Sequence, residues 1–216
     1  MVRNPVDVMY SWHQILYSAG DETTPSFEDA LAAENERKQG HGIPPKMYLP
    51  VEALYYREVV DFTPQIKRYH TTFGRENVHV IVYDDFKVDT QKTYREALEF
   101  LGVDTDVAID FTVVNESYIV RSRWLMRLLR DPIIVRIGEM IAPIAIPLYK
   151  YLRRQNTVPQ QRMPLDPTLR QQLLDELRPQ IDELGALLER DLSDWFEHKK
   201  DRKLSQISIE RNQLKL

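Results

Sequence analysis

The sequence has 216 residues, enough for one domain, or for a core with an appendage. Hydrophobic residues make up 43% and charged residues 29%, which is typical of a globular protein and argues against disordered and fibrous classes. The formal net charge of -4 argues against broad nucleic-acid binding, so no nucleic-acid partner is predicted. The absence of cysteine excludes disulfides, thiolate metal sites and cysteine nucleophiles, and no histidines pair at metal-ligand spacing, so no metal is predicted.

The sequence near the N-terminus lacks the charged, apolar and small-residue regions of a signal peptide, which favours a cytoplasmic protein. The most apolar stretch, Ile133 to Tyr151, contains Arg136, Glu139 and two prolines. It is therefore predicted to be too short and too charged to span a bilayer.

The first predicted element is a helix that begins after Asn4 and stops near Gly20. Asparagine is a favoured N-cap, and Pro5 occupies the first helical position, where its missing N–H costs nothing. Ser26 followed by Asp29 resembles a capping box and predicts a short helix that ends at residue 40. The proline-containing stretch over 41–50 is predicted to be a loop.

A second helical stretch is predicted over about Val51 to Phe73, broken or restarted at Pro64 and closed by Gly74. The run "ENVHVIVYDDF" at 76–86 is β-branched and bounded by turn residues, which predicts a buried parallel strand. Strand followed by helix is the pattern of an α/β protein with a parallel sheet flanked by helices.

Two further helices follow. The first is capped by Asp89 or Thr90 and ends at Gly102, and its apolar residues lie on one face. The second begins at Asp166 and carries leucines at helical spacing, with a kink or a split predicted at Pro179. Residues 199–216 are charged and unpatterned, which predicts a frayed tail.

One side of the first helix carries a seam of polar side chains. At about 100° per residue they fall within roughly 80° of arc, and the seam consists of Asn4, Asp7, Ser11, Gln14 and Ser18. His13 lies nearly opposite, so it is predicted to be a core residue. The seam is either the solvent side of a packed helix or one wall of a ligand site.

Arg3 directly precedes this helix. A guanidinium there adds to the free backbone N–H groups and the positive end of the helix dipole, which together attract an anion such as phosphate. Ser11, two turns along the same face, would reach a second oxygen of that anion. The alternative, that Arg3 pairs with an acidic side chain, is equally compatible with these residues.

Arg3-Asn4-Pro5 with Ser11 eight residues after the arginine resembles the 3'-phosphate-binding motif of sulfotransferases that use 3'-phosphoadenosine 5'-phosphosulfate (PAPS). Phe73 to Asp104 resembles the family segment in which a strand ends in a Tyr-acid-acid-apolar turn before a helix ending in Phe-Leu-Gly. Gln160 to Trp195 resembles the family's C-terminal part, where a basic loop leads into a long helix.

The resemblance implies a P-loop nucleoside-kinase-like three-layer fold over residues 1–198, with PAPS as sulfuryl donor and no metal. It further implies that Arg3 and Ser11 hold the 3'-phosphate and that Arg162 closes over the nucleotide. Where many members have Lys-Gly-Arg in that loop, this chain has Gln-Gln-Arg, so only the arginine carries over. The acceptor would be a hydroxyl or amine on a small molecule, lipid or glycan.

The family's phosphosulfate loop lies upstream of the arginine motif, and no glycine-rich loop with Lys-Ser/Thr occurs in this sequence. We therefore expect a partial domain that lacks its first strand and phosphate loop, with no catalytic residue assigned. The alternative is a catalytically inactive remnant or interaction module with the same fold. A third possibility, a nucleoside kinase, would need the same loop and magnesium ligands.

Other candidate residues have ordinary structural explanations. Tyr83, Asp84 and Asp85 follow the predicted strand at the edge where ligands gather, but helix capping explains the acids equally well. Tyr55 and Tyr56 are predicted to be core residues. The basic residues of 120–154 are either the solvated face of helices or a surface that attracts an anionic acceptor or a membrane surface peripherally. The sequence does not indicate an oligomeric state.

Overall fold

The computed structural model describes residues 1–106, 111, 118–140, 142–159 and 163–197, and most of them are helical. The helices are α1 Pro5–Ala19, α2 Phe27–Ala32, α3 Glu34–Lys38, α4 Tyr56–Val59, α5 Phe62–Phe73, α6 Tyr83–Val88, α7 Thr90–Leu101, α8 Arg123–Arg130, α9 Pro132–Met140, α10 Ala142–Asn156 and α11 Pro167–Leu188. Short 3₁₀ turns lie at Val51–Leu54, Arg75–Asn77 and Ser193–Trp195. The strands β1 Tyr118–Val120 and β2 Thr157–Pro159 pair antiparallel.

Helix α1 has the bounds that its local signals predict. The Asn4 side chain accepts hydrogen bonds from the backbone N–H groups of Val6 (3.1 Å) and Asp7 (3.4 Å), which is the N-cap arrangement. Gly20 ends the helix in the left-handed region, at φ 88°, where glycine avoids the steric cost of a Cβ atom. The predicted first helix is confirmed.

The helix predicted after Ser26 begins as expected, because the Ser26 hydroxyl accepts a hydrogen bond from the Asp29 N–H at 3.2 Å. It is not one helix, however, since a turn at Ala33 separates α2 from α3. The buried positions keep helical spacing across this turn, which explains why the sequence pattern predicts a continuous helix. They are Phe27, Ala30, Leu31, Glu34 and Arg37.

The predicted helical stretch over 51–73 is divided into a 3₁₀ turn, α4 and α5. The break before α5 falls at Val60 and Asp61 rather than at Pro64. Pro64 lies in the first turn of α5, where a backbone N–H has no partner within the helix, so proline is tolerated. Gly74 follows α5 at φ 86° and closes it as predicted.

The strand predicted over 76–86 is wrong for most of its length. Residues 75–77 form a 3₁₀ turn and α6 begins at Tyr83, while parallel pairing in the described residues is a single bridge between Val2 and Val82. The pairing consists of hydrogen bonds from the Val2 N–H to the Ile81 carbonyl and from the Tyr83 N–H to the Val2 carbonyl, both 2.8 Å. The parallel sheet of the predicted α/β fold therefore stays a prediction.

The chain divides into two compact units. The first contains the described residues of Met1–Asp61 and Ile81–Leu165, and the second contains Phe62–Val80 and the described residues from Asp166 on. The first unit is built on the inner face of α1, and its buried residues lie opposite the polar seam, as amphipathic spacing requires. These residues are Val6, Met9, His13, Leu16 and Ala19.

In the second unit, α5 packs against α11. The Asp166 side chain caps α11, which continues through Pro179 without the predicted split. Lys67 on α5 pairs with Glu183 on α11 at 2.6 Å. The tail predicted at 199–216 lies outside the described residues.

Candidate functional site

Val2 and Arg3, just before α1, lie beside the start of α6. Val2 pairs with Val82 through the parallel bridge, so the next residue of each segment, Arg3 and Tyr83, emerges at the same edge. The Arg3 guanidinium carbon lies 4.8 Å from the centroid of the Tyr83 ring, a cation–π distance. Backbone pairing therefore sets the position of the arginine, and the aromatic ring supports it.

Arg3 also contacts Asp7, with 3.4 Å between Nη2 and Oδ2. The side chains of Arg3 and Asp7 are 29% and 17% exposed, so the pair is reached by solvent and its net stabilisation is about 0–1 kcal/mol. The alternative left open by the sequence, an acidic partner for Arg3, is therefore present in the structure.

The anion site expected at the N-terminus of α1 needs a correction. Free backbone N–H groups are expected at this helix start, but the Asn4 side chain accepts from those of Val6 and Asp7. Pro5 has no N–H to offer. The positive end of the helix dipole remains at this end of α1, so attraction for an anion there depends on the dipole and on Arg3 rather than on these two amides.

Ser11 lies one turn beyond Asp7 on the same side of α1, because residues four apart are neighbours on a helix. It is half-buried, and within the described part of the chain its hydroxyl makes no hydrogen bond. Arg3, Asp7 and Ser11 thus follow one another at intervals of four positions along the seam. A cation, a carboxylate and a hydroxyl therefore lie in a row along one side of α1.

Arg162, the third predicted cofactor residue, lies outside the described residues. The next residue, Met163, is held against α1, since its carbonyl accepts a hydrogen bond from the Tyr10 hydroxyl at 3.0 Å. Tyr10 immediately precedes Ser11. Met163, the first described residue after the basic loop, is therefore bound to α1 beside the polar seam.

A buried ion pair supports the far end of α1. Glu22 and Arg37 are 0% and 1% exposed in their side chains, and Arg37 donates to both carboxylate oxygens, at 2.7 and 2.9 Å. The backbone N–H groups of Thr23 and Thr24 donate to the same carboxylate at 2.7 and 2.8 Å, and the Tyr56 hydroxyl donates at 2.7 Å. These donors offset the cost of removing the Glu22 carboxylate from water.

Burial and hydrogen bonding shift three pKa values in this cluster. Burial alone would raise the pKa of Glu22, but the donors Arg37, Thr24 and Tyr56 outweigh it and hold that pKa below its ordinary value. Burial and the hydrogen bond to Glu22 raise the pKa of the Tyr56 hydroxyl. Burial lowers the pKa of His13, which keeps the ring neutral.

His13 confirms the core role predicted for it, being 0% exposed among aromatic rings, with Nε2 lying 3.0 Å from the Thr24 carbonyl oxygen. Tyr56 is likewise fully buried, as predicted, whereas Tyr55 is half-buried. Glu22, His13 and Tyr56 are all buried, and their mutual contacts support the position of α1.

Sequence reasoning missed Tyr83 as the support for Arg3 and missed the Glu22–Arg37 pair. The sequence does place Tyr83 directly after a predicted strand, where ligand-site residues are often found. Its contact with Arg3 could not be predicted, because that requires knowing that Val82 pairs with Val2. Nothing in the sequence indicated that Glu22 and Arg37 are buried, because charged residues are usually exposed. Asp84 and Asp85 lie in the first turn of α6, which has no side-chain cap.

Two absences apply to the part of the chain that the structure describes. There, no three His, Asp or Glu side chains are grouped closely enough to hold a metal ion. Among the same residues, no helix combines the length and the apolar content needed to cross a bilayer.

Comparison with known proteins agrees with the motif. A sequence model of the family described as "Sulfotransferase domain" matches residues 1–118. The crystal structure of a sulfotransferase from Alicyclobacillus acidocaldarius is similar to this chain, with a TM-score of 0.58 and 30% sequence identity. The similarity covers 91% of this chain and 56% of that one, so the chain spans about half the length of the solved relative. A comparison with curated proteins finds no match.

The family match includes the α1 motif and the segment that carries Tyr83, and it extends over more than half of the chain. The solved sulfotransferase supports a fold of the same kind for this helix-rich chain. On this evidence, the chain belongs to the sulfotransferase domain family.

Proposed function

We propose that this chain is part of a sulfotransferase that moves a sulfuryl group from PAPS to a hydroxyl or amine of an acceptor. PAPS, when bound, supplies the sulfuryl group. The acceptor class remains broad, comprising a small molecule, a lipid or a glycan, and the cytoplasm stays the predicted compartment. Family membership supports the reaction class, and the α1 seam supports the choice of donor.

In this proposal Arg3 and Ser11 bind the 3'-phosphate of the donor. The observation that carries it is the row Arg3, Asp7, Ser11, in which the Arg3 guanidinium already pairs with a carboxylate and lies over the Tyr83 ring. The phosphate would take the place of the Asp7 carboxylate as partner of Arg3. Its greater charge and its third oxygen favour this exchange, because the existing pair is weak and partly exposed.

Arg162 is proposed to close over the nucleotide. Its neighbour Met163 is hydrogen-bonded to Tyr10, and a trans peptide separates adjacent Cα atoms by about 3.8 Å. This hydrogen bond, which holds the neighbouring residue against α1, supports the assignment.

The test is a calorimetric titration with adenosine 3',5'-bisphosphate and, in parallel, with adenosine 5'-phosphate, which lacks the 3'-phosphate. Arg3→Ala should weaken the bisphosphate by about 2 kcal/mol, or roughly 30-fold, because a charge-assisted contact is lost. The 5'-phosphate should bind both proteins within about twofold. Arg95→Ala, at an exposed arginine on α7, is the matched control and should change neither affinity.

Equal affinity of wild type and Arg3→Ala for the bisphosphate would contradict the assignment. Tight bisphosphate binding without sulfuryl transfer to any acceptor would instead favour the alternative of an inactive member with the same fold.

A further inference from the structure

Three helices form an excursion between the two paired strands. β1 and β2 pair antiparallel at its base, and the buried Asn156 side chain accepts from the Ser122 N–H (2.8 Å) and donates to the Ser122 carbonyl (2.9 Å). We call residues 121–156, which contain α8, α9 and α10, the basic excursion. Because its two ends are joined by these bonds, it is a defined structural part of the first unit.

The basic excursion exposes large apolar side chains. Met126 on α8 is turned inward and is 7% exposed, whereas Trp124 on the same helix is 71% exposed. Single exposed apolar residues are ordinary, whereas a concentration of them is a feature of interaction surfaces. The others with at least half of their surface exposed are Ile133, Met140, Ile146, Leu148 and Tyr151.

The basic excursion also has a charge opposite to that of the rest of the chain. It contains eight of the 29 arginine and lysine residues and two of the 33 aspartate and glutamate residues. The other residues therefore hold 21 basic and 31 acidic side chains. Among the described side chains of this segment, the exposed basic ones are Arg121, Arg136, Lys150, Arg153 and Arg154.

Exposed tryptophan and aliphatic side chains together with arginine and lysine are the composition of segments that lie in the interface of an anionic bilayer. The apolar side chains enter the headgroup region, and the basic side chains meet lipid phosphates. The helices have 8, 9 and 15 residues, shorter than the roughly 20 that a membrane-spanning helix needs. The segment is therefore suited to lying on a membrane.

We propose that the basic excursion is a docking surface for an anionic lipid bilayer. The charge contrast is the reason to prefer this partner over a second copy of the chain bound through the same surface, since that contact would bring like basic charges together. Nucleic acid is a weaker fit, because exposed aliphatic side chains gain nothing from a phosphate backbone. This inference does not depend on the assignment of Arg3 and Ser11.

The test uses the full chain and two kinds of vesicle, one of phosphatidylcholine alone and one of phosphatidylcholine with an equal amount of phosphatidylglycerol. We expect co-sedimentation with the phosphatidylglycerol vesicles and its loss as salt rises, because the attraction between surface charges is screened. Trp124 reports the contact directly, since its emission should shift to the blue on docking. The other two tryptophans should contribute little to this shift, because Trp195 is buried and the Trp12 indole N–H donates to the Ala53 carbonyl.

Two sets of variants separate the surface from the overall charge. Replacing Arg136, Lys150 and Arg154 with glutamine should lower the partition coefficient roughly 100-fold, at about fivefold for each basic residue near the lipid surface. Removing three positive charges outside the basic excursion should alter the partition coefficient by less than about threefold. This control set consists of exposed Lys46, Lys87 and Arg95, each replaced with glutamine.

Trp124→Phe should still sediment with the vesicles while its emission shift is abolished. Failure of the wild-type chain to bind phosphatidylglycerol vesicles at low salt would overturn the proposal, as would equal binding to both kinds of vesicle. An equal loss in the control set would also overturn it, and so would a dimer found by analytical ultracentrifugation that dissociates on Trp124→Asp. Adenosine 3',5'-bisphosphate affinity should be unchanged in the glutamine set, which separates this test from that of the nucleotide site.

Discussion

The Arg3 guanidinium lies over the Tyr83 ring, 4.8 Å from its centroid, although 79 residues separate the two along the chain. The parallel bridge between Val2 and Val82 creates this contact, because the residues that follow the bridge leave it at the same edge. The arginine is therefore placed by backbone pairing, supported by an aromatic face and partnered by Asp7. Pre-organisation of this kind lowers the cost of ordering a long side chain when an anion binds.

Loss of the Tyr83 ring should weaken nucleotide binding. We expect Tyr83→Leu to reduce the affinity for adenosine 3',5'-bisphosphate by about 0.5–1 kcal/mol, or two- to fivefold, because a partly exposed cation–π contact contributes about that much. Tyr83→Phe keeps the ring and serves as the control, with an affinity like that of wild type. Calorimetric titration measures both, and equal losses in the two variants would assign the effect to the hydroxyl instead.

Removal of the carboxylate that competes for Arg3 should strengthen binding. We expect Asp7→Asn to raise the affinity for the bisphosphate by a few fold, most clearly at low salt, because a negative charge near the proposed phosphate is removed. The same change should lower the free energy of unfolding by about 0.3–1 kcal/mol, since an acid near the start of a helix interacts favourably with its dipole. Weaker bisphosphate binding by this variant would mean that Asp7 orients Arg3 instead of competing for it.

Breaking the buried pair of Glu22 and Arg37 should destabilise the protein severely. Arg37→Met leaves a fully buried carboxylate without its guanidinium, and we expect a loss of about 3–5 kcal/mol in the free energy of unfolding. Tyr56→Phe removes one donor to the same carboxylate and should cost about 1–3 kcal/mol. Urea denaturation measures these losses, and the double variant Glu22→Leu with Arg37→Met should be more stable than Arg37→Met alone.

His13 should make stability depend on pH. Burial lowers the pKa of His13 below its ordinary value of 6.5, so near that pH the ring binds a proton in the unfolded chain but not in the folded one. The free energy of unfolding therefore falls as the pH drops through 6.5. Replacing His13 with Gln should remove this slope between pH 7 and 5. The matched control is His41→Gln, at an exposed histidine, measured over the same pH range. A slope unchanged in His13→Gln would mean that another group titrates in this range.

Helix α1 could be predicted from the sequence because each of its signals is local. Asn4 caps it, Pro5 begins it and Gly20 ends it, so no knowledge of distant contacts is needed. The same holds for α7, between Asp89 and Gly102. The motif with Arg3 and Ser11 could likewise be found by its spacing.

The remaining features depend on contacts between distant residues. The segment over 76–86 has the composition of a strand, but strand structure requires a neighbouring backbone, and the described pairing is with Val2 alone. The support of Arg3 by Tyr83 depends on that register. The Glu22–Arg37 pair depends on tertiary burial, which local propensity does not report.

The central claim is that the Arg3 guanidinium and the Ser11 hydroxyl bind the same phosphate. A calorimetric double-mutant cycle with Arg3→Ala, Ser11→Ala and the combined variant tests it most directly, using adenosine 3',5'-bisphosphate and adenosine 5'-phosphate as ligands. We predict that each single variant loses affinity for the bisphosphate alone and that the combined variant binds the two ligands equally well. Losses that are the same for both ligands, or a combined variant that still prefers the bisphosphate as strongly as wild type does, would contradict the account.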